Sequence, residues 1–255
     1  MKSITERHTL ILKKLNETGH VNVQELSLQM NVSDVTIRKD LKLLEDKKLL
    51  FRTHGGGSRT SPYTNDKPVA EKEQLHADEK RLIAKAAAAM IGHNDSIIIA
   101  SGTTMLALAR SINPEKHLTV ITSALNVALE LSYHQHVEVL QLGGQLRQNS
   151  SSVMGPYAEQ ILADVSCSMV FLGVDGLDLE MGITTTSLME ARLNQKMINS
   201  AQITVVLADS SKIGRRGLGK ICSLDQIQYL ITDNRISPAM VKLLEDKGIT
   251  VTIAK

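Results

Sequence analysis

The segment NVSDVTIRKDLKLLE, residues 31–45, places several hydrogen-bond donors within two turns of an amphipathic helix. With Ile37 at the centre of the buried face, a step of about 100° per residue also turns Leu41 and Leu44 inward. The N-cap, outward and flanking positions are occupied by Ser33, Val35, Thr36, Arg38, Lys39 and Lys42. Such donors, with one methyl-bearing side chain among them, suit phosphate oxygens and base edges in the major groove of DNA.

The residues around this helix decide between a DNA-reading face and an ordinary solvated face. A helix capped by Asn22 precedes it, and Asn31-Val32 forms a tight turn. The glycine-rich segment LLFRTHGGGSR follows it and predicts a β-hairpin, so the whole predicts a winged helix-turn-helix. Candidate phosphate or minor-groove contacts in the hairpin are Arg52, His54 and Arg59. Asp40 lies on the inner flank, where we expect it to pair with Arg7 or Arg52.

A second set of candidate residues follows strand-like apolar runs further along the chain. The segments are ASGTT (100–104), TSALN (122–126), GGQLR (143–147), GVDGLD (173–178) and DSSKIGR (209–215). Ligands of open parallel sheets bind beyond the carboxyl ends of the strands. The candidate effector-binding residues are therefore Ser101, Gly102, Thr103, Thr104, Thr122, Asn126, Gly143, Gly144, Arg147, Asp175, Asp178 and Lys212.

The chemistry of these segments fits a phosphorylated sugar. Gly102 allows close backbone approach at a helix N-terminus, where a phosphate is favoured, and Lys212 supplies positive charge. Asp175 and Asp178 can accept hydrogen bonds from sugar hydroxyls. Because strand-to-helix loops are generally rich in Ser, Gly and Asp, each loop alone has a structural explanation. Because the loops converge on one sheet edge, a phosphosugar pocket explains their composition as well as the structural explanation does.

The elements that position these residues suggest an α/β protein with two domains. A helix is predicted at residues 4–17, with Ile4, Ile11 and Leu15 on one face. From residue 96 onward, strand-like runs alternate with helical stretches, which indicates a mainly parallel sheet covered on both faces. The runs are SIIIA, LTVIT, VEVLQL, SMVFLGV, ITVVLAD, IQYLIT and ITVTIA. We expect a DNA-binding domain at 1–57, a linker at 58–74 and a sensor domain at 75–255.

Charge and composition exclude several classes of protein. Residues 1–60 carry 11 Lys and Arg against 7 Asp and Glu, whereas the remainder carries 18 against 20, so only the small domain is suited to a polyanion. The two cysteines, Cys167 and Cys222, match no metal spacing and are expected to be buried thiols. No apolar run reaches the roughly 18 residues of a membrane span. We therefore expect a cytoplasmic protein.

The N-terminal residues resemble the signature of the DeoR family of bacterial transcriptional regulators. That signature has an arginine and two apolar residues at four-residue steps, here Arg7, Ile11 and Leu15, followed by S/T/A-x-x-T-apolar-R/H-basic-D-apolar. The second part is matched by Ser33, Thr36, Ile37, Arg38, Lys39, Asp40 and Leu41, and the likeness continues over nearly the whole chain.

The resemblance implies a function as well as a fold. It implies a sensor domain similar in fold to ribose-5-phosphate isomerase, with no cofactor and no metal. It also implies a repressor of a carbohydrate catabolic operon, released from double-stranded operator DNA by a phosphorylated sugar. We expect at least a homodimer, because one small domain makes too few contacts for tight specific binding.

Two positions depart from the family and its isomerase relatives. Family members commonly have an aspartate before the S/A-G-T-T run, where this chain has Ala100. The isomerases use a catalytic glutamate whose place is taken here by Gln195, which cannot act as a base, while Glu190 is expected to close a capping box with Ser187. A sugar-phosphate isomerase with an accessory DNA-binding domain remains the alternative, and a protein-interaction role for the winged helix is a third.

Overall fold

The computed structural model describes residues 3–18, 20–53, 55–58, 66–92 and 95–255. The N-terminal part has three helices and a three-stranded antiparallel sheet, which together form a winged helix-turn-helix. Its elements are α1 (Ile4–Thr18), β1 (His20–Asn22), α2 (Val23–Met30), α3 (Asp34–Asp46), β2 (Phe51–Thr53) and β3 (Gly56–Ser58). Strand β3 lies between the other two, so the wing is joined to the residues that precede α2.

Local sequence signals set the ends of these helices. The side chain of Asn22 accepts the backbone N–H of Gln24 at 2.8 Å, and Ser33 accepts that of Thr36 at 3.2 Å, so both predicted N-caps are confirmed. The buried core consists of Ile11, Leu15, Val21, Val23, Leu26, Met30, Ile37, Leu41, Leu44 and Leu50. Ile4 is 48% exposed, unlike Ile11 and Leu15 on the same predicted face, because it lies in the first turn of α1, outside this cluster.

The C-terminal part alternates strands and helices, as the apolar runs predict. Its helices are α4 (Val69–Gln74), α5 (Ala77–Ala88), α6 (Thr103–Ser111), α7 (Leu125–Leu131), α8 (Pro156–Ala163), α9 (Leu188–Asn199) and α10 (Pro238–Glu245). Its strands are β4 (Ser96–Ile99), β5 (Leu118–Thr122), β6 (Val137–Gln141), β7 (Gln145–Arg147), β8 (Ser152–Met154), β9 (Cys167–Gly173), β10 (Gly176–Asp178), β11 (Gly182–Thr185), β12 (Ala201–Leu207), β13 (Gly219–Cys222), β14 (Tyr229–Thr232) and β15 (Thr250–Ile253).

The centre of this part is a parallel seven-stranded sheet in the order β15-β14-β12-β9-β4-β5-β6. Alternate residues of each strand enter two separate cores, as the pleat requires. Ile98 and Val170 lie in the core shared with α8, α9 and α10. Ile97 and Phe171 lie in the core shared with α5, α6 and α7. The sheet is therefore the middle layer of three, which confirms the expected α/β architecture.

The predicted linker at 58–74 contains regular structure. Helix α4 occupies its second half and packs against α6. None of the described helices is long and apolar enough to span a bilayer. Cys167 and Cys222 are both buried and unpaired, as expected, and burial raises the pKa of the Cys222 thiol to about 12.

Candidate functional site

Helix α3 presents most of its predicted reading face to solvent. Ser33, Val35, Arg38, Lys39 and Lys42 are exposed, and Thr36 is half-buried. The hydroxyl of Thr36 lies 3.0 Å from that of Ser33, so Thr36 also takes part in the N-terminal cap. This basic face is open to a DNA duplex.

Asp40 fastens α1 to the inner side of α3. Its carboxylate is 2% exposed and accepts hydrogen bonds from Arg7 Nε at 2.7 Å and Nη2 at 3.0 Å. Of the two arginines expected from the sequence to pair with Asp40, Arg7 is therefore the one that does. Arg52 lies instead beside Glu45, with 3.9 Å between guanidinium and carboxylate. His54 and Arg59, the other predicted wing contacts, lie outside the described residues.

The order of strands locates the switch point of the sheet. From β4 the chain moves outward through β5 and β6 on one side, and then returns to place β9, β12, β14 and β15 on the other. The direction reverses between β4 and β9, and a crevice opens at such a switch point beyond the carboxyl ends of the strands. Ser101 follows β4 there, and Val174 and Asp175 follow β9.

A cavity of about 550 Å³ occupies this switch point. It brings together seven of the predicted effector-binding residues, namely Ser101, Gly102, Thr103, Thr104, Arg147, Asp175 and Lys212. Gly102 adopts a φ of 122° at the turn into α6, a conformation that favours glycine. The first N–H groups of α6 have no partner within the helix, which makes its N-terminus attractive to an anion.

The structure does not bring the other five predicted residues to the cavity. Thr122 is fully buried and its hydroxyl accepts the backbone N–H of Ala124 at 3.1 Å, while Asp178 is 3% exposed and pairs with Arg216 at 3.0 Å. The remaining three are Asn126, Gly143 and Gly144. Thr122 ends β5, and the other three follow β5 or β6, on the far side of the switch point, whereas Asp178 ends β10 and stabilises the turn that follows it.

Basic side chains dominate the charged lining of the cavity. Among its described lining residues, the basic ones are Lys67, Lys72, Lys80, Arg147, Lys212 and Arg215, and the acidic ones are Asp175, Glu190 and Asp209. Lys72 Nζ lies 2.9 Å from Asp175 Oδ1. Burial alone would raise the pKa of Asp175, but the charge and hydrogen bond of Lys72 outweigh it, and the pKa lies below its ordinary value.

Lys80 is a buried cation beside this cavity. It is 6% exposed, and its ammonium group donates to the backbone carbonyls of Lys72 and Leu75 at the C-terminal end of α4. Burial lowers the pKa of Lys80 to about 8, with Asp209 opposing that effect and Lys212 adding to it. Its charge therefore depends on pH near neutrality.

Glu190 has a different role from the one that the sequence suggested. The backbone N–H of Glu190 donates to Ser187 at 3.4 Å, which confirms the cap of α9. The carboxylate points into the cavity, where it accepts hydrogen bonds from Arg147 at 3.1 Å, Ser152 at 3.4 Å and Ser101 at 3.5 Å. The expected capping-box role of the side chain is therefore wrong, because a buried carboxylate is better matched by the guanidinium group.

Gln195 does not take the place of a catalytic glutamate in the cavity. Gln195 is exposed, whereas Asn194 and Glu190, which precede it on α9, line the cavity. Lys72 and Lys80 were missed because they lie in helices rather than at strand ends. A signal existed for Lys80, since it falls on the buried stripe of α5 with Ile83, Ala84 and Ala87. Because lysine is rarely buried without a partner, a lysine on the apolar face of a helix indicates a partner or a function.

Metal-ligating geometry is not found within the described part of the chain, where no group of three or more His, Cys, Asp or Glu side chains could hold an ion. His134 and His136 lie in the turn that leads from α7 to β6.

Comparison with protein families covers both halves of the chain. The model of the DeoR-like helix-turn-helix domain matches residues 7–62, and that of the DeoR C terminal sensor domain matches residues 75–234. The chain belongs to the DeoR family. Its DeoR relatives include the putative aga operon transcriptional repressor of Escherichia coli O157:H7, which is 37% identical over 98% of this chain and 93% of that protein.

Two further DeoR relatives are also named as regulators. The HTH-type transcriptional regulator YulB of Bacillus subtilis is 36% identical over 98% of this chain and 96% of its own length. The lactose phosphotransferase system repressor of Staphylococcus epidermidis is 34% identical over 88% and 90%, respectively. Among solved structures, ribose 5-phosphate isomerase A of Methanocaldococcus jannaschii aligns with 54% of this chain and 55% of its own, at 14% identity and a TM-score of 0.40.

Proposed function

We infer that this DeoR protein is a transcriptional repressor of a carbohydrate catabolic operon, released from its operator by a phosphorylated sugar. The observation that carries this function is the joining, in one chain, of an exposed basic face on α3 to a cavity rich in cations at the sheet switch point. Relatives named as repressors of the aga operon and of the lactose phosphotransferase system support a carbohydrate operon. Binding to chromosomal DNA places the protein in the cytoplasm.

The DNA-binding half works by presenting α3 to the major groove. Arg38 reads a base edge, while Lys39 and Lys42 contact phosphates and so fix the register of the helix on the duplex. The buried pair of Asp40 and Arg7 removes an acid from this face and sets the angle between α1 and α3. Arg52 of β2 adds a contact from the wing, and the sequence predicts further contacts by His54 and Arg59.

The first prediction concerns Arg38. An operator selected from a random-sequence DNA pool is expected to bind Arg38→Ala more weakly by about 1–3 kcal/mol, because a base contact is lost. Gel-shift titration measures the difference, with exposed Lys85→Ala on α5 as the matched loss of one charge. An unchanged midpoint for Arg38→Ala refutes the assignment of this residue.

Salt dependence tests DNA binding against a protein-interaction role of the winged helix. Affinity for the selected operator should fall steeply as salt rises from about 50 to 200 mM, since lysine and arginine contacts release counterions. A weak salt dependence would favour a protein partner instead.

The effector-binding half recognises phosphate through positive charge. The N-terminus of α6 and the ammonium groups of Lys80 and Lys212 border the cavity from different elements, so a phosphate among them is contacted by donors and cations together. Asp175 and Glu190 are the acceptors for sugar hydroxyls. A thermal-shift screen with pentose and hexose phosphates identifies the sugar, because a ligand of the folded state raises the Tm.

Two copies of the chain act together on the operator. A single winged helix makes too few contacts for tight specific binding, and a palindromic operator read by a dimer supplies the missing ones. The effector releases DNA by favouring a conformation or assembly that binds the operator poorly.

The alternative function, sugar-phosphate isomerisation, has one observation in its favour, the carboxylate of Glu190 in the cavity. A general base must be able to reach and accept the substrate proton. Glu190 is held by Arg147 and two serine hydroxyls, which favours a binding role. An assay of isomerase turnover on the sugar phosphates found in the thermal-shift screen decides between them, since clear product formation establishes the enzyme.

A further inference from the structure

A carboxylate from the segment that joins the two domains contacts the wall of the effector pocket. Asp66 follows the wing, whose last strand ends at Ser58. Arg147 Nη2 donates to Asp66 Oδ2 at 2.5 Å, and Asn149 Nδ2 donates to the same oxygen at 2.7 Å. The hydroxyl of Thr186 donates to Oδ1 at 3.3 Å. One side-chain carboxylate thus collects three donors from the sensor domain.

These donors form an anion-binding cluster whose parts come from separate elements. Arg147 ends β7, Asn149 lies in the 3₁₀ turn Gln148–Ser150, and Thr186 follows β11. Convergent donors that include a guanidinium group are what proteins use to bind carboxylate and phosphate. Burial alone would raise the pKa of Asp66, but the hydrogen bonds from Asn149 and Arg147 outweigh it and the pKa is lowered. The carboxylate is therefore ionised at neutral pH.

The cluster belongs to the wall of the cavity. Arg147 and Asn149 both line the cavity. Lys67, Val69 and Lys72, which follow Asp66 in the chain, line it as well. Arg147 also holds Glu190 through its other nitrogen, at 3.1 Å. Asp66 is consequently placed at the point where the interdomain segment meets the effector pocket.

We propose that Arg147, Asn149 and Thr186 form an anion subsite that Asp66 fills in the effector-free chain, and that a phosphate or carboxylate group of the effector replaces it there. The proposal rests on the effector pocket of the proposed function and adds how that pocket is regulated. A neutral sugar hydroxyl does not displace Asp66, because it would exchange a charge-assisted bond for a weaker one.

The strength of the Asp66 contact fits an exchangeable ligand. The side chains of Asp66 and Arg147 are 34% and 19% exposed, and ion pairs that water reaches are individually weak. Asp66 is favoured over a free anion because the chain holds it near Arg147 at an effective concentration in the millimolar range. A free anion therefore binds only to the fraction of molecules that Asp66 has left, and its apparent affinity is reduced by that fraction.

Displacement of Asp66 has a consequence for DNA binding. The residue lies between the wing and α4, on the segment that connects the operator-binding and sensor domains. An effector anion in the subsite detaches this segment from the sensor domain, while Asp66 in the subsite holds it in place. Occupancy of the pocket is thereby linked to the attachment of the DNA-binding domain.

The test is a calorimetric titration of the full chain with inorganic phosphate at constant ionic strength. Asp66→Asn removes the competing charge, whereas Glu71→Gln removes one charge from an exposed position on the same segment. Asp66→Asn is expected to bind phosphate about tenfold more tightly than both the wild type and Glu71→Gln. Adding Arg147→Gln to Asp66→Asn should abolish the gain.

Two outcomes overturn the proposal. One is an affinity of Asp66→Asn equal to that of Glu71→Gln, a comparison that does not depend on whether the Arg147 variant folds. The other is a gain that survives Arg147→Gln in a folded double variant. Gel shift of the wild type on its selected operator is measured on the same preparation. If the wild type binds its operator and Asp66→Asn shows no gain in phosphate affinity, the subsite alone is rejected. If the wild type does not bind the operator, the proposed function is rejected.

Discussion

At the scale of single residues, the pocket depends on cations whose surroundings set their charge. Lys80 combines deep burial with carbonyl acceptors at the end of α4, where the helix dipole favours a cation. Desolvation opposes the charge and brings the pKa of Lys80 to about 8. Lys212, on the 3₁₀ turn Ser210–Lys212, lines the cavity and is partly buried. Burial thus brings the pKa of Lys80 close to the physiological range.

Lys80 gives the pocket a pH dependence of known sign. Below pH 8 its ammonium group attracts a phosphate, and above pH 8 the neutral amine does not, so affinity should fall as pH rises. Between pH 7 and pH 9.5 a sugar phosphate stays fully ionised, and we expect its affinity to fall by about tenfold. Calorimetric titration at several pH values measures this change.

Lys80→Met is the variant that assigns the pH dependence. It should bind the same sugar phosphate more weakly at pH 7 and show a flatter profile up to pH 9.5, with its fold checked by circular dichroism. A wild-type profile that is flat, or a Lys80→Met profile as steep as the wild type, contradicts the role of this lysine.

At the scale of elements, the wing depends on the close approach of two strands. Gly56 of β3 pairs with Asn22 of β1, and a Cβ atom at Gly56 would lie 1.7 Å from the carbonyl oxygen of Val21. Only glycine permits this pairing, because the obstacle is backbone rather than a movable side chain. Because β1 directly precedes α2, its pairing with β3 also joins the wing and the helix-turn-helix into one unit.

Substitution of Gly56 is expected to damage the DNA-binding half selectively. Gly56→Ala forces β1 and β3 apart at a cost of about 1–3 kcal/mol, and operator affinity should fall while sugar-phosphate binding stays unchanged. Gly55→Ala is the matched control, since its Cβ would have Asn22 Nδ2 as nearest neighbour at 3.9 Å. Gel shift and calorimetry on the two variants measure both activities. Equal operator affinity for both alanine variants would show that the close approach is unimportant.

At the scale of the whole molecule, positive charge is concentrated in two places with different tasks. Residues 1–60 have an excess of Lys and Arg, and the remainder has an excess of Asp and Glu. Within that acidic remainder, basic side chains still dominate the cavity at the switch point. We therefore expect the operator and the effector phosphate to bind to separate surfaces, and a repressor couples the two through a change of conformation or assembly.

Separate surfaces predict that the two activities can be separated by mutation. Lys212→Ala should keep the operator affinity of the wild type and lose the response to the sugar phosphate, because the cation lost lies in the pocket. Gel shift with increasing effector measures release from DNA. Normal release of Lys212→Ala from the operator would reject Lys212 as a phosphate ligand, and reduced operator affinity without effector would reject the separation.

The sequence by itself was sufficient for the buried face and the N-cap of α3 and for the strands of the parallel sheet. The spacing of Ile37, Leu41 and Leu44 predicted which side of α3 is buried, and Ser33 predicted its start. The seven apolar runs predicted the seven strands of the parallel sheet. These features repeat every few residues, so each is recorded in the segment that adopts it.

Only the tertiary structure decided which strand ends share a pocket. Ser101 follows β4 and Thr122 ends the adjacent β5, with similar loops, yet the reversal of strand order beside β4 brings Ser101 to the cavity and leaves Thr122 buried in packing. Lys72 and Lys80 reach the same cavity from the segment that precedes the sheet, and Asp66 of that segment contacts Arg147 in its wall. Strand order and the docking of distant segments depend on long-range packing, which no local pattern of residues records.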